Sequence, residues 1–315
     1  MGQVDAIPTA DPMQAANDSS MAATRQKLGR ARQTGKWRPR RVLFLAAMYI
    51  LLLTLSAFIL LPASWMLTAA LKPDLQPVFT IPTQWYPSHF WDWTNFGRVL
   101  LGNLSFLRYT LNTVIIVFFN IMGILISCSL VAFAFARLRF RGSKPLFYVV
   151  IITMLIPWQA LMVPQFIMFF KLGWYGTYLP LIVPSFGGNA FFIFLIRQYM
   201  RTIPRELDDA ARVDGLNSWQ IFWRIILPLS IPVLTVCAVF TFISSWNDLL
   251  GPIIYLDKQQ TFTLSVALAN LVTRAGTPWN KLMAANLLSM IPCILVFFFA
   301  QKKLIGGIAS VGLKG

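Results

Sequence analysis

The chain has 315 residues, of which 57% are hydrophobic and only 12% charged, and its formal net charge is +16. With a positive mean hydropathy, this composition lies outside the soluble range and belongs with integral membrane proteins, so the surplus of lysine and arginine reads as topology and not as nucleic-acid affinity. Cys128, Cys237 and Cys293 sit far apart inside apolar runs, and the single histidine, His89, has no cluster of partners in sequence. That pattern argues against a disulfide framework, a metal site and a catalytic dyad.

Residues 1–41 open with an Ala/Asp/Ser/Gln-rich stretch and end in a basic run, the pattern of a disordered cytoplasmic tail with a membrane-proximal anchor. A cleaved signal peptide is the rival reading, but the apolar run that follows, residues 42–70, is too long for a signal core. Residues 42–315 read as one transmembrane domain. Six spans are expected, at about residues 43–67, 111–137, 146–170, 179–196, 229–245 and 283–300, each near the roughly 20 apolar residues that cross about 30 Å of hydrocarbon.

Lysines and arginines orient these spans. The tail, the stretch from Arg137 to Lys144, the loop at 197–228 and the C-terminus carry twenty of them, against seven on the other side. Positive charge concentrates on the cytoplasmic side, so both termini are expected there. The spans themselves hold no charged residue between their ends, whereas ion-coupled carriers keep one at mid-membrane because their mechanism needs it. Their polar residues are neutral: Asn112, Asn120, Gln159, Gln165, Asn189 and Asn286. Two readings stay open for these amides, glue between helices or a lining for a neutral polar solute. Pro157, Pro164, Pro180 and Pro184 allow kinks and unwound turns.

The loop at 197–228 departs from the rest of the chain. Pro204 suits a first helical position, and Glu206, Asp208 and Asp209 fall in opening turns where the helix dipole favours negative charge. Leu207, Ala210 and Ala211 make a short apolar face whose alanines permit close approach. Gly215 is placed to stop the helix in the left-handed region, and Asn217 or Ser218 can cap a second helix running through "WQIFWRIILP". An amphipathic linker lying on the membrane would carry lysines on its polar face, not Glu206, Asp208, Asp209 and Asp214. A helical knob that docks another protein is expected.

"DAARVDGLNSWQIFWRIILP" resembles the signature loop of bacterial ABC importer permeases: Glu-Ala-Ala, three residues, Gly, nine residues, Ile, one residue, Leu-Pro. Asp209, Ala210, Ala211, Gly215, Ile225, Leu227 and Pro228 hold that spacing, with Asp209 in place of Glu. "WYPSHFWDWTNF", "YTLNTVII", "AFAFARLRFRGSK", "SWNDLLGPIIYL" and "ASVGLKG" are similar to the carbohydrate branch, within it to the smaller, six-span partner of maltose- and glycerol-phosphate-type systems.

The resemblance implies the all-α type I importer fold in a bacterial inner membrane, and a non-enzymatic subunit forming half of a sugar pathway. No Gly-x-x-x-x-Gly-Lys-[Ser/Thr] loop occurs in the sequence. The resemblance therefore places ATP and magnesium on two partner ATPase subunits, coupled through residues Glu206, Leu207, Asp209, Ala210, Ala211, Asp214, Gly215, Ile225, Leu227 and Pro228. A second, homologous permease and an extracytoplasmic solute-binding protein complete the expected assembly, the latter touching Tyr255, Gln259 and Gln260. Asn112, Gln159 and Asn189 are the candidate pathway residues. A permease for a non-carbohydrate solute such as a peptide, amino acid or metal shares the cytoplasmic signature. The spans lack the charged or nucleophilic set that an ion-coupled carrier or an intramembrane enzyme needs.

Overall fold

The computed structural model describes residues 39–88, 91–102, 106–272 and 276–312, so His89 and most of the expected tail lie outside the described residues. By contact the chain separates at Pro62 into units Met1–Pro62 and Ala63–Gly315. Every regular element among the described residues is helical. Helix α1, Pro39–Ala70, begins three residues before the expected domain start, and its 32 residues reach roughly 48 Å at 1.5 Å per residue. It is followed by α2 (Thr94–Leu101), α3 (Phe106–Arg137), α4 (Ser143–Thr153), α5 (Trp158–Lys171), α6 (Ala190–Thr202) and α7 (Glu206–Val213). After these come α8 (Ser218–Leu229), α9 (Ile231–Trp246), α10 (Leu250–Tyr255), α11 (Leu264–Asn270) and α12 (Trp279–Gly312).

Among the described residues, four helical stretches are long and apolar enough to span a bilayer, and the count reaches six when each of two bent pairs is one span. The stretch expected as a continuous helix at 146–170 breaks instead between α4 and α5, which meet at 94°. Pro157 is the cause: its ring pushes the residue before it out of helical geometry, and Pro157 itself is extended at φ −68°, ψ 137°. The fifth span is likewise longer and bent, α8 meeting α9 at 73°. Pro228 and Pro232 have no N–H to give to the preceding turn, and residues Phe222–Ile226 take the wider π winding just before Pro228. The fourth span is not one regular helix: a helical turn at Leu179–Ile182 and a 3-10 turn at Val183–Gly187 precede α6, which runs to Thr202, six residues beyond the expected end.

Helix α3 is the hub, packing on α6, on the 3-10 turn before it, on α9, on α11 and on α2. Small and polar residues allow this. A side chain at Gly123 would collide with Phe186 and the Ser185 backbone. Asn120 joins three elements, donating to Ser245 Oγ at 3.1 Å and accepting from Ser185 Oγ at 2.6 Å. Such bonds hold membrane helices together where lipid removes the hydrophobic drive between them.

The two ends of α3 gather different loops. Near its start, Asn112 donates to the carbonyls of Gln260 and Phe262. At its end, Arg137 reaches the carbonyls of Met200 and Ile203. Both bent pairs connect these ends. Helix α4 begins beside Phe135 through Phe147, and α5 finishes with Phe169 on Tyr255. Helix α8 packs Phe222 on Phe133, and α9 finishes with Trp246 donating to Ser289 O. Two buried clusters match these ends, one around Cys128, Phe133, Ile196 and Phe222, the other around Val99, Trp246 and Ala285.

At the Asn112 end, Lys72 is fully buried and donates to the carbonyls of Val78 (3.2 Å) and Gln84 (2.7 Å), folding the 71–88 segment around its ammonium. Burial lowers its pKa. Replacing Lys72 by Met keeps most of the apolar stem and strands the carbonyl of buried Val78, at about 1–3 kcal/mol for a buried group left unpaired, while the carbonyl of exposed Gln84 can turn to water. The expected result is a lower thermal midpoint of the detergent-solubilised protein, followed by tryptophan fluorescence; an unchanged midpoint contradicts this account of the segment.

Candidate functional site

Helix α7 is short, and an eight-residue helix has little stability of its own in water. Its ends are closed by the chain instead. Gly215 takes φ +82° and donates to Arg212 O, while Leu216 N donates to Ala211 O at 2.9 Å, the paired bonds of a left-handed helix stop. Leu216 and Ala211 pack into the same cluster. Asn217, not Ser218, caps α8: its Oδ1 accepts from Gln220 N and its own N–H donates to Gln220 Oε1, both at 2.9 Å. Helix α7 starts at Glu206, so Pro204 lies ahead of the first turn and not at its first position.

One face of α7 is built into the protein. Ala211 is buried among Ala136, Met200 and Ile221, which corrects the expectation that it lies on a docking face with Leu207 and Ala210. Asp208, expected on the polar face, is buried as well, and its Oδ2 lies 3.4 Å from Arg137 Nη1, with side-chain exposures of 7% and 2%. Arg137 reads in sequence as one more charge of the positive side, yet it is a buried connector. Its Nη2 donates to Met200 O (2.7 Å) and Ile203 O (2.8 Å) at the end of α6. The available signal was its place as the last residue of a long apolar helix, where a cation meets the unpaired carbonyl ends.

The other face is free. Glu206, Leu207, Asp209, Ala210, Val213 and Asp214 are exposed, Val213 at 87%. Exposed Arg212 pairs with Asp209 at 3.4 Å, an interaction worth about 0–1 kcal/mol at a wet surface. Ile225 and Leu227 pack inward against the cluster of Phe133 and Phe222, whereas Pro228 is exposed where α8 bends. The signature residues thus divide into an outward set and an inward set.

The other sequence candidates sit elsewhere. Asn112 is buried, its amide N–H groups taken by Gln260 O and Phe262 O. Asn189 caps α6, accepting from Phe191 N and Phe192 N. Gln159 is exposed in the first turn of α5. The structure does not bring these three together, and for Asn112 and Asn189 it favours the structural reading. Gln259 and Gln260 are exposed on a 3-10 turn, but Tyr255 is 3% exposed and packed on Phe166 and Phe169, so it offers no surface to a partner in this conformation.

Comparison with known proteins bears on this geometry. The profile of the family described as binding-protein-dependent transport system inner membrane component matches residues 123–309, from the middle of α3 through α7 and into α12. The chain belongs to that family. It is therefore a multi-pass inner-membrane permease component of an ABC importer. Among curated relatives, it is 36% identical over 191 residues to the arabinooligosaccharides transport system permease protein AraQ of Halalkalibacterium halodurans, covering 61% of this chain and 68% of that one. It is 29% identical over 293 residues to the maltose/maltodextrin transport system permease protein MalG of Photorhabdus laumondii, covering 89% and 97%. Among solved structures, a chain of a bacterial ABC transporter involved in import of the acidic polysaccharide alginate superposes with a TM-score of 0.74 at 24% identity, over 85% of this chain and 99% of that one. A chain of the alginate transporter in complex with a pentasaccharide-bound periplasmic protein gives 0.59 at 18%, over 83% and 93%. The permease fold read from the sequence is the fold observed.

In this permease Gly215 has open space around it, so a side chain there meets strain in the backbone and not a collision. Gly215→Ala is expected to cost about 1–2 kcal/mol for the left-handed conformation, and Gly215→Asn less. Amide exchange at Leu216, bonded to Ala211 O, reads this directly and should quicken in the order Gly, Asn, Ala; equal rates in all three contradict the assignment.

Proposed function

We propose that this permease forms half of the pathway of an ATP-driven sugar importer, with α7 as the element that seats on a cytoplasmic ATPase subunit. The observation that carries the reading is the division of α7. Asp208 and Ala211 fix one face to the core, while Glu206, Leu207, Asp209, Ala210, Val213 and Asp214 present an acidic and apolar face to another protein. A helix held this way can pass on a push; a loosely tethered one cannot.

On this reading the Arg137 end of α3 faces the cytoplasm together with both termini, in keeping with the excess of lysine and arginine there. ATP and magnesium belong to two ATPase subunits, and the permease performs no chemistry of its own. A second homologous permease supplies the other half of the pathway, and an extracytoplasmic binding protein delivers solute to the opposite end, where Gln259 and Gln260 are exposed. The sugar class rests on relatives named for arabinooligosaccharide and maltose/maltodextrin transport.

The test is a pull-down of the chain, solubilised from its native membrane, with co-purifying proteins identified and vanadate-sensitive ATPase assayed. A nucleotide-binding ATPase and a second multi-span protein are expected with the wild type, and Gly215→Asp should release the ATPase while the chain still inserts. Purification of the chain alone, with solute movement intact, overturns the proposal.

A further inference from the structure

We infer that Arg137 and Asp208 are a positioning pair, a buried latch through which motion of α7 reaches α3 and from there the opposite end of the permease. The inference rests on the reading of α7 as the ATPase-docking element and adds the residues that make docking mechanically consequential. Neither residue belongs to the outward face that would touch a partner.

Few contacts decide how α7 is oriented. The segments that join it to α6 and α8, residues 203–205 and 214–217, are short, and what ties the helix to the core is Asp208, Ala211 and, just after it, Leu216. Of these only Asp208 makes a directional charged contact. An apolar contact such as that of Ala211 can slide, whereas an ion pair with little access to water is sensitive to distance and angle.

The far side of the latch is the end of the hub helix. Arg137 is held independently of Asp208 by the carbonyls of Met200 and Ile203, so a displacement of α7 acts on α3 and α6 together. At the other end of α3, Asn112 holds the carbonyls of Gln260 and Phe262. The line from Asp208 through Arg137 and α3 to Asn112 is a contiguous physical connection between the docking helix and the exposed turn at Gln259–Thr261.

The pair also has freedom to shift. Arg137 Nε and Asp208 Oδ1 are buried and make no hydrogen bond to the chain among the described residues. Both residues line a cavity of about 290 Å³ with Arg139, Arg205, Asp209 and Arg212. A saturated, close-packed pair would lock α7 in one position. This one can re-pair within the cavity as the helix moves.

The test uses the full complex purified from native membranes, with Gln260→Cys carrying an environment-sensitive fluorophore; Cys128 and Cys237 are buried and Cys293 is half-buried. The probe is read before and after ATP plus vanadate, in Asp208, Asp208→Asn and Asp208→Glu backgrounds. Asp208→Asn keeps the shape and removes the charge, and the anchoring of Arg137 by Met200 and Ile203 lets the bundle survive. With the ATPase still bound, the fluorescence change should shrink at least about fivefold in Asp208→Asn and be largely restored in Asp208→Glu, the size of a typical coupling energy.

An unchanged response in Asp208→Asn with the ATPase bound overturns the latch and leaves docking intact. If Asp208→Asn instead loses the ATPase, limited trypsin cleavage after Arg205 and Arg212 decides: faster cleavage supports a positioning role, and unchanged protection overturns it in favour of direct contact. A wild-type complex that contains no ATPase overturns the docking reading, and the latch falls with it.

Discussion

One guanidinium at the end of α3 meets three helix ends at once. Arg137 terminates its own helix, donates to the last carbonyls of α6, and faces the carboxylate of Asp208 in the first turn of α7. Each contact has the sign helix dipoles favour, a cation at two C-terminal ends and an anion at an N-terminal one. Removing one partner of such a buried pair costs about 3–5 kcal/mol when nothing else compensates the remaining charge. Here the two carbonyls compensate part of it, so the cation has a place even without its carboxylate. The signature loop is consequently an extension of the packed helices and not a free linker.

The same economy of polar contacts organises the membrane interior. Asn120 ties α3 to the turn before α6 and to α9, while Asn112 ties α3 to the segment before α11. Where lipid is as apolar as leucine, a buried amide with defined partners specifies register as well as contact. The proline-broken spans add shape. Pro157, Pro228 and Pro232 set bends of 94° and 73° in helices that still connect the two ends. The bends therefore fall at places fixed by proline and not by chance packing.

Much of this was legible in the sequence. Hydropathy marked apolar stretches that are helical in the structure but not where they break, since the stretches expected at 146–170 and 229–245 belong to bent helix pairs, and Gly215 and Asn217 announced the stop of one helix and the start of the next because left-handed geometry and capping demand those residue types. The family pattern was carried by seven positions between Asp209 and Pro228. What stayed hidden was direction in space. Asp208 and Ala211 lie on the inward side of α7 although the acidic run and the small residues suggested exposure, because a partner charge 71 residues away in the chain draws the helix inward. Tyr255 looked like a contact residue but is held by Phe166 and Phe169, and Lys72, one of the seven basic residues assigned to the other side, is buried with its ammonium on two carbonyls. Each miss is a tertiary partner that no local pattern encodes.

The most direct test of the central claim, that α7 is a docking helix anchored to the core through one face, is site-directed cross-linking from Val213, which is 87% exposed. With the complex in native membranes, Val213→Cys treated with a short cysteine-to-amine reagent should join the permease to an ATPase subunit, and Tyr86→Cys on the opposite end should not. Cross-links from Val213 only to lipid-facing or unrelated proteins, or equal yields from the two positions, would contradict the account.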